Sequence, residues 1–239
     1  SYVNAGAVAD QSYDDNIYYT SESFFNSNFW YRRELNVPDA WKGKRIYLNL
    51  DGINWKAQLW LNGSKVGRVE GAFTRGRFDV TSLLSADGRN VLAIEIERVA
   101  HPGPVKQKNS YSTDINGGLL GYDNPTFHAS AGWDWITTVR GREAGIWNDI
   151  FLTAESGVSL DNPLVTTTLN LPDTRATLHP QIDYANHTGR TVKAKAVGWV
   201  GDVSYEQQVT LHPGEGRIRF SPDDHSQLRS RHMRLWWPN

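Results

Sequence analysis

An all-β chain built from antiparallel sandwiches is predicted by three observations. Apolar residues alternate with polar ones along short stretches, the period-two signature of half-buried strands. Turn signals interrupt these stretches every 8–12 residues or so, the rhythm of sandwiches and barrels. No segment longer than about two turns carries the apolar stripe of an amphipathic helix.

In chain order, residues 1–27 are polar, rich in Asp, Asn, Ser and Tyr, and without a period. They read as an irregular wrapping segment. Phe29, Tyr31, Leu35 and Val37 then share one parity, interrupted by Arg33, and Trp30, Arg32, Glu34 and Asn36 share the other. Pro38 ends this strand. Ile46, Leu48 and Leu50 predict a second strand, and Ala57, Leu59 and Leu61 a third. Asn62-Gly63 supplies the two positive-φ positions of a type I′ hairpin, with Lys65 to Glu70 as the returning strand. Arg77 to Val80 and the set Leu92, Ile94, Ile96 continue the series, and Thr81 to Leu84 could form one short helical turn.

Residues 98–131 break the rhythm, with His101-Pro-Gly-Pro104, Gly117-Gly118 and Asn124-Pro125. Long segments of this kind inside compact domains are functional or disordered. This one leads into Gly132-Trp-Asp-Trp135, two indoles around a carboxylate, followed by Arg140 and Arg142. Aromatic rings stack on the C–H faces of sugars, and a carboxylate accepts hydroxyl hydrogen bonds. The first domain ends near Ala154, and Glu155-Ser-Gly157 reads as a linker. Strands expected at 164–171, 176–184, 192–197, 203–211 and 218–220 fit a small immunoglobulin-like sandwich. Met233 to Asn239 carries Trp236 and Trp237 where closing strands are still needed, so this second domain is expected to be incomplete.

Composition narrows the function classes. The chain has 239 residues, formal net charge -1 and no cysteine. No basic excess is available to neutralise phosphates, which argues against nucleic acid as a partner. Disulfides, thiolate metal sites and cysteine nucleophiles are excluded. No apolar run approaches the roughly 20 residues that span a bilayer, so no membrane partner is expected. Ser1 to Gly6 lacks a signal peptide's basic start and apolar core. We expect a periplasmic or secreted protein rather than a cytoplasmic one. The histidines, among them His101, His128, His179, His187 and His212, lack metal-ligand spacing. Asp114, Asp123 and Asn124 are weak Ca²⁺ candidates, and no cofactor is expected.

Several motifs together resemble glycoside hydrolase family 2, which includes β-galactosidases, β-glucuronidases, β-mannosidases and exo-β-glucosaminidases. They are Phe29-Trp-Tyr-Arg-Arg-Glu-Leu35, Leu50-Asp-Gly-Ile-Asn54, Leu59-Trp-Leu-Asn-Gly63, Phe78-Asp-Val80, Asn90 to Ile96 and Gly145-Ile-Trp-Asn-Asp-Ile150. Gly132-Trp-Asp-Trp135 resembles the β-mannosidase and exo-glucosaminidase branch, and Leu235-Trp-Trp-Pro-Asn239 a segment of the family's second domain. The resemblance implies a jelly-roll, galactose-binding-like β-sandwich over residues 1–156, then an immunoglobulin-like domain over 157–239. A (β/α)₈ barrel carrying both catalytic carboxylates would follow. Retaining hydrolysis needs two carboxyl groups roughly 5–5.5 Å apart, and a barrel takes about 250 residues; neither is in this chain. The chain alone is therefore expected to be a non-catalytic N-terminal part of a retaining exo-β-glycosidase.

In that reading Asp134 binds a hydroxyl of the terminal sugar of a β-linked glycan, within a pocket of the missing barrel domain. Trp133 and Trp135 flank it, and Arg140 belongs to the same substrate-binding group. The competing structural reading pairs Asp134 with Arg140 or Arg142 to hold the loop's shape. Trp133 and Trp135 share a parity, so in an extended segment they point away from Asp134. Glu143 and Asp149 are not read as a catalytic pair with it, and Trp147 is read as packing. The alternative function is a stand-alone carbohydrate-binding module.

Overall fold

The computed structural model describes residues 3–10, 13, 16–19, 26–85, 88–101, 144–169, 172, 175–229 and 231–232. The chain divides into two compact units, Ser1–Ala154 and Glu155–Asn239.

Strands of the first unit are β1 (Phe29–Asn36), β2 (Arg45–Leu50), β3 (Ile53–Asn54), β4 (Lys56–Leu61), β5 (Ser64–Glu70), β6 (Gly76–Asp79), β7 (Arg89–Ile96), β8 (Gly145–Ile146) and β9 (Ile150–Glu155). They form a four-stranded sheet in the order β1-β7-β4-β5, a three-stranded sheet β6-β2-β9 and the small pair β3-β8. The alternation read from the sequence fixes which side of each strand faces in. Leu48, Leu50, Ile53, Ala57, Leu59, Leu61, Ile94 and Ile96 are each 2% exposed or less and form one buried cluster. Phe29, Leu35 and Val37 pack on its margin from β1 and the residue after it. Tyr31 shares their parity but is 44% exposed.

β2 departs from simple alternation, because both of its faces are covered. The Arg77 guanidinium lies 3.7 Å from the centre of the Tyr47 ring. Asn49 donates from Nδ2 to Thr153 Oγ1 at 3.0 Å. The Asn62-Gly63 turn has the predicted left-handed geometry, with φ of 53° and 81°, and joins β4 to β5. Asn62 Nδ2 also donates to Asn90 Oδ1 at 2.8 Å. Asn90, 1% exposed, accepts at the same oxygen from the Ser85 N–H at 2.8 Å. A buried amide with these partners locks the hairpin to the start of β7.

At the end of β6, Asp79 holds the first residue of a single 3₁₀ turn, Thr81–Leu83. Its Oδ1 accepts from the Thr81 N–H at 3.0 Å and from Thr81 Oγ1 at 2.6 Å. Arg45 Nη1 reaches its other oxygen at 2.7 Å. Partial burial pushes the Asp79 carboxyl upward, but the Thr81 and Arg45 interactions together outweigh it and hold it below the ordinary 3.8.

The second unit comprises β10 (Val158–Leu169), β11 (Arg175–Asn186), β12 (Val192–Val200), β13 (Val203–Leu211), β14 (Gly214–Arg219) and β15 (Arg231–His232). One sheet runs β10-β11-β14, with β15 also on β11; the other is the pair β12-β13. Leu178, Val203, Tyr205, Leu211, Ile218, Phe220 and Leu228 form its buried cluster. Two boundaries differ from the sequence reading. β10 starts at Val158, earlier than expected, because a register shift between Asp161 and Leu164 carries the pairing past Pro163. Asn162 takes φ of 50° there. β14 starts at Gly214, inside the expected turn: Gly216 pairs with Tyr184, and a Cβ on Gly216 would lie 2.5 Å from that ring. Glycine here is a clearance for an aromatic ring rather than a turn signal.

The chain is thus all-β among the described residues, apart from the helical turn Asn16–Tyr19 and single 3₁₀ turns, in keeping with the predicted sandwiches. Trp236 and Trp237 lie outside the described residues.

Two outcomes follow from this packing. Leu59→Ala, at a fully buried position, should lower unfolding free energy by about 2–5 kcal/mol in urea denaturation. Asp79→Asn should destabilise at neutral pH, where the carboxylate interactions are present. Those interactions are lost as pH falls through a folded-state value below 3.8. The gap between wild-type and variant melting temperatures should therefore narrow as pH falls below about 5 and close only beneath that folded-state value.

Candidate functional site

The backbone on either side of the segment that carries the sequence's strongest candidates is hung on residues 53–56. Where the chain leaves β7, the Glu97 N–H donates to Lys56 O at 3.0 Å. Where it returns, Gly145 pairs with Asn54 and Ile146 with Ile53. Ile53, Asn54 and Lys56 thus hold the backbone on either side of residues 98–144. Asn54 is 2% exposed, so this node is rooted in the core rather than at a loop tip.

Gly145 suits its place, with φ of 144°, outside the range of most side chains. A Cβ there would also meet the Tyr31 hydroxyl at 3.0 Å. Just beyond it, Trp147 folds across the chain at Gly52. Its backbone N–H donates to Gly52 O at 3.2 Å, and a Cβ on Gly52 would lie 2.4 Å from the indole. The indole Nε1 donates to Ala72 O at 2.9 Å. The neighbouring turn is tied to the same node, because the Gly71 N–H donates to Trp55 O at 2.7 Å. That turn sets Phe73 edge-on to Trp147, ring centres 5.8 Å apart.

The outcome is a small aromatic surface beside the loop's return. Phe73 is 64% exposed and Trp147 45%. Lys56 Nζ lies 4.1 Å from the centre of the Trp55 ring, and Asp51 faces Arg75 at 3.7 Å. Such a surface can stack on a sugar or seat a protein segment. Trp147, read from sequence as packing, is half in that role: its edge is anchored and its face is open. Phe73 was not legible as a contact residue. Its signal was the left-handed Gly71, φ 129°, which opens the turn presenting it.

A cleft of about 900 Å³ runs between β1 and β9 in the same unit, lined by Tyr31, Arg33, Leu35, Trp41, Ile146 and Leu152 among others. Its wall is mixed, apolar at Leu35 and Leu152 and charged at Arg33 and Asp149.

Asp134, Trp133, Trp135 and Arg140 lie outside the described residues, as do Arg142, Glu143, His128, Asp114, Asp123 and Asn124. Asp149 is exposed on the approach to β9, and its N–H donates to Asn148 Oδ1 at 2.8 Å. His179 sits 3.1 Å from Thr168 Oγ1 and His187 3.3 Å from Ser159 Oγ. Among the described residues, no group of three or more His, Asp or Glu side chains is placed to hold a metal ion.

The family model described as the glycosyl hydrolase 2 galactose-binding domain-like family matches residues 1–148. The chain belongs to this family. The exo-β-D-glucosaminidase of Streptomyces avermitilis is 28% identical over 239 residues, covering 98% of this chain and 24% of that protein. The mannosylglycoprotein endo-β-mannosidase of Lilium longiflorum is 28% identical over 221 residues, 88% of this chain and 22% of that protein. Among solved structures, the exo-chitosanase of Amycolatopsis orientalis superposes with a TM-score of 0.67 at 28% identity, over 92% of this chain and 23% of that one. The chain therefore spans about a quarter of the length of the curated relatives it matches, and corresponds to an N-terminal region of a family 2 glycoside hydrolase.

The seat of Trp147 generates a coupling prediction. Gly52→Ala and Trp147→Phe should each destabilise, the first by about 1–3 kcal/mol through overpacking. The second should cost about 1 kcal/mol through the lost indole hydrogen bond. Truncating the ring to Ala should relieve most of the Gly52→Ala penalty, so a double-mutant cycle in urea should return a clear interaction energy.

Proposed function

We propose that this chain is the non-catalytic N-terminal part of a longer family 2 glycosidase, and that its segment 102–143 completes the sugar pocket of a separate catalytic barrel domain. The observation that carries the reading is the node Ile53–Lys56. The residues flanking the segment are tied to adjacent backbone of the sandwich, and a loop donated to another domain requires such a scaffold. The relatives' greater length supports it, since a chain spanning about a quarter of each leaves room for a barrel.

Within this reading Asp134 accepts a hydrogen bond from a hydroxyl of the terminal sugar, and one of Trp133 and Trp135 stacks on that sugar. Arg140 orients the loop's carboxylate or the substrate. The substrate is a β-linked glycan, and the reaction, on the barrel, is retaining hydrolysis. The parent's sugar is narrowed by the names of relatives to the glucosamine and mannose classes, because the exo-β-D-glucosaminidases and the endo-β-mannosidase align along most of this chain.

The second unit supports a longer polypeptide on independent grounds. Residues 221–229 cover the β13 side of its sandwich: Gln227 Nε2 donates to Ser204 O at 3.2 Å and Leu228 is fully buried. No described residue covers the β12 side. An apolar space of about 580 Å³ there is lined by Leu164, Ile182, Ala196, Tyr205 and Phe220 among others. Val197 and Trp199 are 53% and 73% exposed beside it. We read this unit as an immunoglobulin-like sandwich that further strands on the β12 edge would complete.

The chain alone should show no hydrolysis of aryl β-glycosides. In the longer enzyme, Asp134→Ala should lower kcat/KM by about 10²–10⁴-fold, the loss expected when hydrogen bonds to the transition state are removed. Near-wild-type kcat/KM in that variant would remove Asp134 from the site.

A further inference from the structure

The outer face of the β1-β7-β4-β5 sheet carries a feature that the loop and its pocket do not use. Trp30 on β1 and Trp60 on β4 both point away from the core. They are two strands apart, with β7 between them. In register, Arg32 and Trp60 both lie opposite Ala93, while Trp30 and Gln58 both lie opposite Glu95. Strands two apart are separated by roughly 9.5 Å, yet the two indoles approach to 5.0 Å between ring centres, tilted by 35°. They can lean together because the residue beneath is Ala93, whose methyl leaves the space above β7 free. Trp30 remains 58% exposed.

What surrounds the indoles sets the chemistry. Arg32 pairs with Glu34 at 3.4 Å. Lys65 Nζ donates to Gln58 Oε1 at 2.6 Å, and Gln58 Nε2 to Glu97 Oε1 at 3.2 Å. Arg68 bridges Glu70 and Glu97 at 3.2 and 3.3 Å, and Lys56 pairs with Glu70 at 3.1 Å. Glu95 Oε1 accepts from Asn28 Nδ2 at 2.8 Å. The cations Arg32, Lys56, Lys65 and Arg68 are thus balanced by Glu34, Glu70, Glu95 and Glu97.

We propose that Trp30 and Trp60 form a second carbohydrate-binding surface, remote in the sequence from the Asp134 loop, which takes the flat face of a neutral β-linked glycan. Indole faces stack on the C–H faces of pyranose rings, and nearby amides, carboxylates and guanidinium groups exchange hydrogen bonds with equatorial hydroxyls. An open sheet face suits an extended chain rather than a buried terminal sugar. Charge balance favours a neutral glycan over a cationic or a uronate one. A protein partner fits less well, because interface cores are contiguous and depleted of charge, whereas this apolar surface is enclosed by ion pairs on each side.

The test is titration of a neutral β-1,4-linked gluco-hexasaccharide into the ¹⁵N-labelled 239-residue chain, following the indole N–H resonances. Trp30→Ala and Trp60→Ala each delete one signal and so assign the pair. Both signals should shift along one saturation curve, with Kd of about 0.1–5 mM. Trp30→Ala should weaken binding by at least about 10-fold with an unchanged melting temperature, and Trp30→Tyr should restore most of it, as one stacking ring is removed and replaced. A glucosamine hexamer should bind no more tightly. Asp134→Ala should leave the shifts intact, so that failure here and failure of the loop's assignment are told apart. Immobile indole signals up to about 10 mM sugar, or full affinity in Trp30→Ala, would overturn the proposal.

Discussion

Leu48 comes from one sheet and Leu59 and Ile94 from another, and the contact among such inner side chains is what the first unit depends on. Each is 2% exposed or less. Because side chains alternate across a strand, burying these residues decides where every other residue of β2, β4 and β7 points. It puts Trp30 and Trp60 outside. Just before β4, buried Asn54 in β3 pairs with Gly145, where the 98–144 segment returns. A one-residue slip of β4 would expose Leu59, disturb that node and bury Trp60 at once.

Much of this was legible in the sequence because period-two alternation and turn chemistry are local. The Asn62-Gly63 hairpin, the inner parity of Ile46, Leu48 and Leu50, and the strand from Asn90 to Ile96 follow from spacing alone. What escaped depends on neighbours distant in sequence. Tyr47 is buried because Arg77 lies over it. Gly52 is needed because Trp147, almost a hundred positions on, crosses it. β14 runs into an expected turn because Tyr184 occupies the space beside Gly216. The outward parity of Trp30 was legible beside Arg32 and Glu34, but its approach to Trp60 across Ala93 depends on the order of the strands in the sheet. Asp134, Trp133, Trp135 and Arg140 were singled out by residue type and by resemblance. Their geometry is not among the described residues.

In the proposed enzyme the labour is divided. On that proposal the sandwich positions a loop and offers aromatic faces, and the acid–base pair belongs to the barrel. Family 2 membership is consistent with this arrangement, since fold and site are separable and chemistry belongs to the catalytic carboxylates wherever they reside. Two aromatic surfaces on one unit would serve different ends. The Phe73–Trp147 surface lies beside the loop's return, and the Trp30–Trp60 surface lies on the outer sheet face.

The central claim, that segment 102–143 reaches a sugar held by another domain, is tested most directly by a crystal structure of the longer enzyme with its terminal sugar bound. The expected result is an Asp134 carboxylate oxygen about 2.5–3.2 Å from a sugar hydroxyl, with Trp133 or Trp135 against the ring. An Asp134 carboxylate turned away from the sugar and paired with Arg140 or Arg142 would contradict it.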